Sequence, residues 1–405
     1  MAIAVALAAC GSSDDTTSTT SKGSKAATGS AVKIGVVAPK NVPGLSQPEI
    51  EAVARQAATY FNKRGGLGGH PIEIDYCNDM LQPNQTAACA QKLVSDKVVA
   101  VAGGSVVLGD VFDPIVLKAG IPVVGKVPIS SGDFRDPNIY NFSGGSFFSY
   151  QGLSAYSAHK VGPVSIVHLD TPVSDLWLGA MKSASKAAGG TLAKIVSVSP
   201  TQSDFAPIVA ASQANGAKGV ILLMGHQQST AYLQAAKSAG LTSRGFTIMA
   251  AEALVAADRT ILGPDAARFV YADVYPPYPT SNLPLMRTFR QILEEGGGTG
   301  PLDVDVQSTG SFAVFLALEA IAKIVDHQGL ETLTADTLTA ALNKTKDLDL
   351  GGVVPAWTPN AAGPKSAPRV PSTASWYVRY ASSGAPVLIS PDAIPLAAAI
   401  SGQFS

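Results

Sequence analysis

Charge is scarce in this 405-residue chain: Asp, Glu, Lys and Arg make up 15% of it, and the formal net charge is -1. A nucleic-acid or anionic-surface partner needs a concentrated basic patch, so the composition argues against both. Histidine is limited to five scattered residues and cysteine to three, with no CxxC or HExxH spacing, so neither a metal site nor a cofactor is expected. Beyond residue 10 there is no apolar stretch of about twenty residues to span a bilayer. Catalytic signatures are missing as well. Gly125-Lys126-Val127 lacks the Ser or Thr of a phosphate-binding loop, and no G-x-S-x-G elbow occurs. Gly65-Gly66-Leu67-Gly68-Gly69 closes a predicted helix instead of opening one, which is turn chemistry and not a phosphate cradle. The chain reads as a non-enzyme with no catalytic residues.

What is present begins at the N-terminus. Met1 to Ala9 is a short apolar stretch, and Leu7-Ala8-Ala9-Cys10 resembles a bacterial lipoprotein processing site. Residues 1–10 are therefore expected to be a signal peptide with Cys10 as the lipidated residue. The lipid anchor would be the chain's only membrane attachment, on the extracytoplasmic side. No Lys or Arg precedes Lys22, whereas secretory signals carry a basic segment, so the translation start is expected upstream. Residues 11–31 contain no aliphatic or aromatic side chain larger than Ala and read as a flexible tether, about 25 Å end to end.

With Cys10 lipidated, Cys77 and Cys89 remain as an even pair, which suits an oxidising compartment. Cys77 ends a predicted strand and Cys89 lies in the helix after it. A helix folding back would bring their Cα atoms near 5.5 Å, so a disulfide is expected, the alternative being two separately buried thiols.

From Val32 the pattern alternates short aliphatic runs, typical of strands buried on both faces, with amphipathic helices. Strands are predicted at 32–38, 72–77, 98–102 and 121–124, with helices at 49–64, 85–96 and 108–118. A second series follows Tyr150, with strands at 164–169, 192–198, 219–224, 246–250 and 269–274 and helices at 175–188, 205–215 and 227–239. Tyr275-Pro-Pro-Tyr-Pro279 reads as an extended crossover. Helices at 285–295, 307–326 and 335–343 follow, then a Pro- and Gly-rich stretch at 351–371 and short strands near 376–380 and 387–389. This βα repetition implies two doubly wound α/β lobes. Lobe 1 is expected to comprise residues 32–149 plus 276–354, and lobe 2 residues 150–275 plus 355–405.

Asn62-Lys-Arg-Gly-Gly-Leu-Gly-Gly-His-Pro-Ile-Glu-Ile-Asp-Tyr-Cys-Asn-Asp79 resembles the first helix, turn and second strand of the branched-chain amino acid (Leu/Ile/Val) binding proteins, type I periplasmic binding proteins of ABC importers. The likeness continues through Lys92-Leu-Val, Ala119-Gly-Ile-Pro122, Val164-Ser-Ile-Val-His168 and the A-x-x-A-G-L step from Ala236 to Leu241. It implies a clamshell of two lobes joined by three crossovers, closing on one small solute. The implied partners are that solute, an ABC permease and its ATPase, with the chain itself monomeric. A sensory receptor of the same fold, for amides or for aromatic or aliphatic acids, is the alternative.

Carried over residue by residue, the resemblance puts Glu252 where the family accepts the ligand's ammonium. His226 and Gln227 follow the 219–224 strand where the family has a Tyr. The carboxylate-binding positions fall near Val107, Leu108, Ile129 and Ser130. Of these only Ser130 has a hydroxyl, which points to a less zwitterionic solute such as an amide or an aromatic or aliphatic acid. Tyr150 is a candidate cleft aromatic.

Overall fold

The computed structural model describes residues 26–42, 46–304 and 309–404. The expected leader, Cys10 and the tether up to residue 25 lie outside them. From Ala27 the chain is already bound to the first lobe: the Ala27 N–H donates to the Asn62 carbonyl at 3.0 Å, and those of Thr28 and Gly29 to the Gly69 carbonyl at 3.2 and 2.9 Å. The tether expected to reach residue 31 is thus docked over its last residues, because the tight turn around Gly69 presents an unpaired carbonyl to it.

The first βα series runs Val32–Val37 (β1), Pro48–Asn62 (α1), Ile72–Cys77 (β2), Pro83–Ser95 (α2), Ala100–Ala102 (β3), Gly109–Lys118 (α3), Val123–Val124 (β4) and Ile139–Tyr140 (β5). Its strands form a parallel sheet ordered β2-β1-β3-β4-β5. Ile34, Val36 and Val37 are fully buried, as expected of a strand covered on both faces. Pro48 starts α1, whose Ile50, Val53, Ala54, Ala57, Ala58 and Phe61 form one buried stripe.

The second series comprises Gly145–Lys160 (α4), Val164–Leu169 (β6), Pro172–Ala187 (α5), Leu192–Val198 (β7), Ala206–Ser212 (α6), Gly219–Leu223 (β8), His226–Ser238 (α7), Thr247–Ala250 (β9), Ala256–Leu262 (α8) and Phe269–Asp273 (β10). The chain then returns to the first core through Pro284–Glu295 (α9), Thr309–Gln328 (α10) and Ala335–Lys344 (α11). It finishes on the second sheet with Trp376–Tyr380 (β11), Pro386–Leu388 (β12) and Leu396–Ile400 (α12). That sheet is ordered β12-β11-β10-β9-β8-β6-β7, with β11 alone antiparallel to its neighbours β10 and β12. Three passages therefore link two separate cores, which is a two-lobed α/β clamshell topology.

Helix α4 is absent from the sequence-based reading. Gly, Ser and aromatic residues dominate it, and Phe148, Ser149, Tyr150, Gly152, Leu153, Ser154, Ala155 and Ser157 are all buried, so it lacks the polar stripe of an amphipathic helix. It packs on α5, α12 and β10 of the second lobe. The first passage consequently precedes Gly145, and the expected boundary at 149/150 falls inside a helix. The third passage also differs: Trp357 belongs to the first core, so the chain changes lobe after it and not at 354/355. Indole N–H groups fasten these passages, that of Trp357 donating to the Asn141 carbonyl at 2.8 Å and that of Trp376 to Val353 at 3.0 Å.

The Cys77 and Cys89 sulfurs are bonded, with Cα atoms 5.6 Å apart, tying the end of β2 to α2 across a separation of 12 residues. Closing a loop of this size in the unfolded chain is worth about 3 kcal/mol. Cys77→Ser should therefore lower the unfolding free energy by about that amount, measured by urea titration. The same loss should follow reduction of the parent chain, and an unchanged midpoint would count against the bridge.

Candidate functional site

In open α/β sheets the crevice opens where strand order reverses, outside the carboxyl ends of the strands. Here the reversals lie between β1 and β3 in the first sheet and between β6 and β8 in the second. Next to the first reversal are the β3–α3 turn and the loop after β4. The second is flanked by the starts of α5 and α7 and the loop after β9.

The loop after β4 is organised by an ion cluster with no access to water. Lys126 is 1% exposed, and its ammonium lies 2.7 Å from Asp113 of α3 and 2.5 Å from Asp133. One Asp133 oxygen also accepts the Ile129 and Ser130 N–H groups, each at 2.7 Å. Burial alone would raise Asp133, but Lys126 and these N–H groups outweigh it and hold the carboxyl below its usual value. Asp113 shares the same cation and fares worse: burial pushes it up to about 7.

Across the crevice Glu252 follows β9, half-buried, and no cation pairs with it among the described residues. Burial pushes it up to about 7, with repulsion from Asp273 and then Asp258 adding to the shift. Asp273, at the end of β10, is likewise pushed to about 7 by burial, against the pull of the Val274 N–H and the Thr309 hydroxyl. That hydroxyl, on α10 of the other lobe, donates to Asp273 at 3.1 Å.

Aromatic rings connect the two halves. Phe134 lies 5.5 Å from Phe147, Phe147 5.8 Å from Trp177, and Trp177 5.9 Å from Tyr150, measured between centroids. Phe134 belongs to the loop after β4 and Trp177 to the helix after β6, so carboxyl-end features of both sheets meet the same row. Val173 and Leu176, on the first turns of α5, are 54% and 67% exposed. The approach requires glycine: Gly145 has φ +63°, and a Cβ there would lie 2.9 Å from the Pro128 carbonyl.

The remaining predicted residues are distributed as follows. Val107 and Leu108 are half-buried just ahead of α3. Ser130 is buried with its hydroxyl unpartnered, packed where a Gly109 Cβ would come within 2.3 Å of it. His226 and Gln227 are exposed at the start of α7, the His226 ring 3.8 Å from Asp258. Tyr150 is buried, and its hydroxyl donates to the Leu222 carbonyl at 2.9 Å, so it serves as a wall and not as a free donor. Sequence reasoning missed Lys126, Asp133, Asp273 and Trp177. For Lys126 and Asp273 a signal existed, since each is a lone charge in an otherwise apolar run. A cavity of about 390 Å³ lined by Ile324, Gln328, Lys344 and Leu348 lies at the far end of α10, roughly 30 Å along the helix from Thr309, and takes no part in this site.

Carboxyls raised in the folded state hold protons that the unfolded chain has already released. Their contribution is present below the unfolded value near 4 and is lost as pH rises through about 7. The melting temperature of the ligand-free protein should fall between pH 5 and pH 8, and Glu252→Gln should flatten that slope. An unaltered slope in the variant would remove Glu252 from the buried acid set.

A sequence profile of the periplasmic binding proteins matches residues 31–370. No curated protein matches the chain. Among solved structures, a solute-binding protein of an R. palustris ABC transporter, in complex with 4-hydroxybenzoate, is similar at 20% identity and TM-score 0.66, covering 86% of this chain and 93% of its own. A fatty acid ABC transporter substrate-binding protein from Thermomonospora curvata is similar at 16% identity and TM-score 0.71, with coverages of 94% and 97%. A possible leucine/isoleucine/valine-binding protein from Rhodopirellula baltica is similar at 16% identity and TM-score 0.69, with coverages of 89% and 96%. With its two doubly wound sheets and three passages, the chain belongs to the periplasmic binding protein family and has the type I fold.

Proposed function

We propose that the chain is the extracytoplasmic solute-binding component of an ABC importer, held to the membrane by lipid on Cys10. It takes a small organic solute, of the amino-acid class or related, between its two lobes. The observation that carries this reading is the Glu252 carboxyl after β9, paired with no cation among the described residues and near enough to Tyr150 to act on its hydroxyl, at one end of an aromatic row whose other end, Phe134, lies in the loop after β4. A carboxylate without a protein cation is a ready acceptor for a cationic or hydrogen-bond-donating ligand group, and the rings supply apolar area. Similarity to transport proteins whose structures include a hydroxybenzoate complex supports the importer role. Chemistry is confined to capture and release: the solute favours the closed arrangement and shifts the population toward it.

Calorimetry against amino acids, amides, aromatic acids and amines, followed by small-angle scattering, tests this. One compound should bind with 1:1 stoichiometry and reduce the radius of gyration. Glu252→Ala should cost that ligand about 1.5–3 kcal/mol, on the order of tenfold to a hundredfold in affinity. A full panel with no binder, or binding without compaction, counts against the clamshell role. Mass analysis of the N-terminal peptide from membranes should show acyl chains on Cys10, and an unmodified Cys10 would refute the anchor.

A further inference from the structure

The loop after β4 is one of the two places where the resemblance puts capture of a ligand carboxylate, yet most of its main-chain donors are occupied. Ile129 and Ser130 N–H groups donate to Asp133 at 2.7 Å, and the Gly132 N–H donates to Asp110 at 3.2 Å. The Val127 N–H donates to the Gly104 carbonyl at 3.2 Å, and Pro128 has none. Asp133 is therefore an internal anion seated where a ligand's anion would go. It is fixed there by Lys126, whose ammonium is itself spent on Asp113 and Asp133. Asp110 reinforces the arrangement by also accepting from the Ser131 hydroxyl at 3.1 Å. Around this loop four aspartates, Asp110, Asp113, Asp133 and Asp136, face one buried lysine, while Arg135 is exposed. A second carboxylate brought in by a ligand would find the Ile129, Ser130 and Gly132 N–H groups already engaged and would meet a surplus of like charge.

The opposite wall carries the same sign. Glu252 lies within the influence of Asp273 and Asp258, and His226 is turned toward Asp258. Between the walls runs the row Phe134, Phe147, Trp177 and Tyr150. Aromatic faces attract cations and repel anions placed over them.

We infer that the solute is an organic amine carrying an apolar or aromatic body and no carboxylate, its ammonium accepted by Glu252 and its body laid along the aromatic row. This rests on the solute-binding reading and narrows it. It departs from the carboxylate capture that the resemblance implies at the loop after β4, because here Asp133 supplies that carboxylate from within.

The test compares matched compounds on the full chain by calorimetry at pH 7.5. One set is 3-methylbutylamine, leucine and 4-methylpentanoate; the other is 2-phenylethylamine, phenylalanine and 3-phenylpropanoate. In at least one set the amine should bind ten or more times more tightly than its amino acid, with the acid weakest. Tighter or equal binding of an amino acid or acid overturns the inference while leaving the solute-binding reading standing. Failure of both amines to bind also overturns it, whatever the wider panel shows. Asp133→Ala, where it folds, should release the loop N–H groups and shrink the preference for amine over amino acid. An unchanged preference in the folded variant would refute the role given to Asp133, and the parent chain decides the matter alone if the variant does not fold.

Discussion

Lys126 is closed off from solvent, and an ammonium in that position is tolerable only with carboxylates against it and every donor used. Two aspartates from different elements meet the need, Asp113 on α3 and Asp133 in the turn after the loop. Much of the first lobe's rim follows from that requirement. Asp133, once drawn inward by the cation, gathers the Ile129 and Ser130 N–H groups and sets the path of the loop. Its main-chain carbonyl accepts from Asn141, whose own carbonyl takes the Trp357 indole, so the same cluster reaches the inter-lobe passages. The ion triad thus determines at once the loop's shape, its electrostatic sign and its attachment to the hinge.

The alternation of strand and helix was legible because parallel strands covered on both faces must be continuous apolar runs, as in Val32–Val37, and because surface helices keep a stripe like that of α1. The three long-range passages were legible only approximately. Helix α4 is buried nearly all round and so shows no period, and β5, only two residues long, is too short to carry one. Glu252 could be found by analogy of position. The Lys126 cluster could not, since the pairing joins residues 113, 126 and 133 through space, and sequence shows only that Lys126 interrupts an apolar run. Trp177 sits on an otherwise ordinary amphipathic helix, and its place beside Phe147 depends on how α5 meets α4.

Both lobes contribute acids to the crevice, but with different consequences. On the first lobe one lysine offsets part of the acid charge and serves architecture, whereas no cation pairs with Glu252 or Asp273 among the described residues and burial pushes both up to about 7. The Thr309 hydroxyl bridges the second set to α10, so the acid pair sits on the joint between lobes and not in the wall of one. A ligand charge placed there acts on the joint directly.

The seat of residues 27–30 against the turn at Gly69 fixes a direction as well as an attachment. This seat lies at the amino ends of β1 and β2, and six residues of strand, about 20 Å, separate it from the crevice at the carboxyl ends. A pull transmitted through Ala27 would therefore fall on the back of one lobe only. The second lobe would stay free of that load, since the seat is on the side away from the crevice mouth.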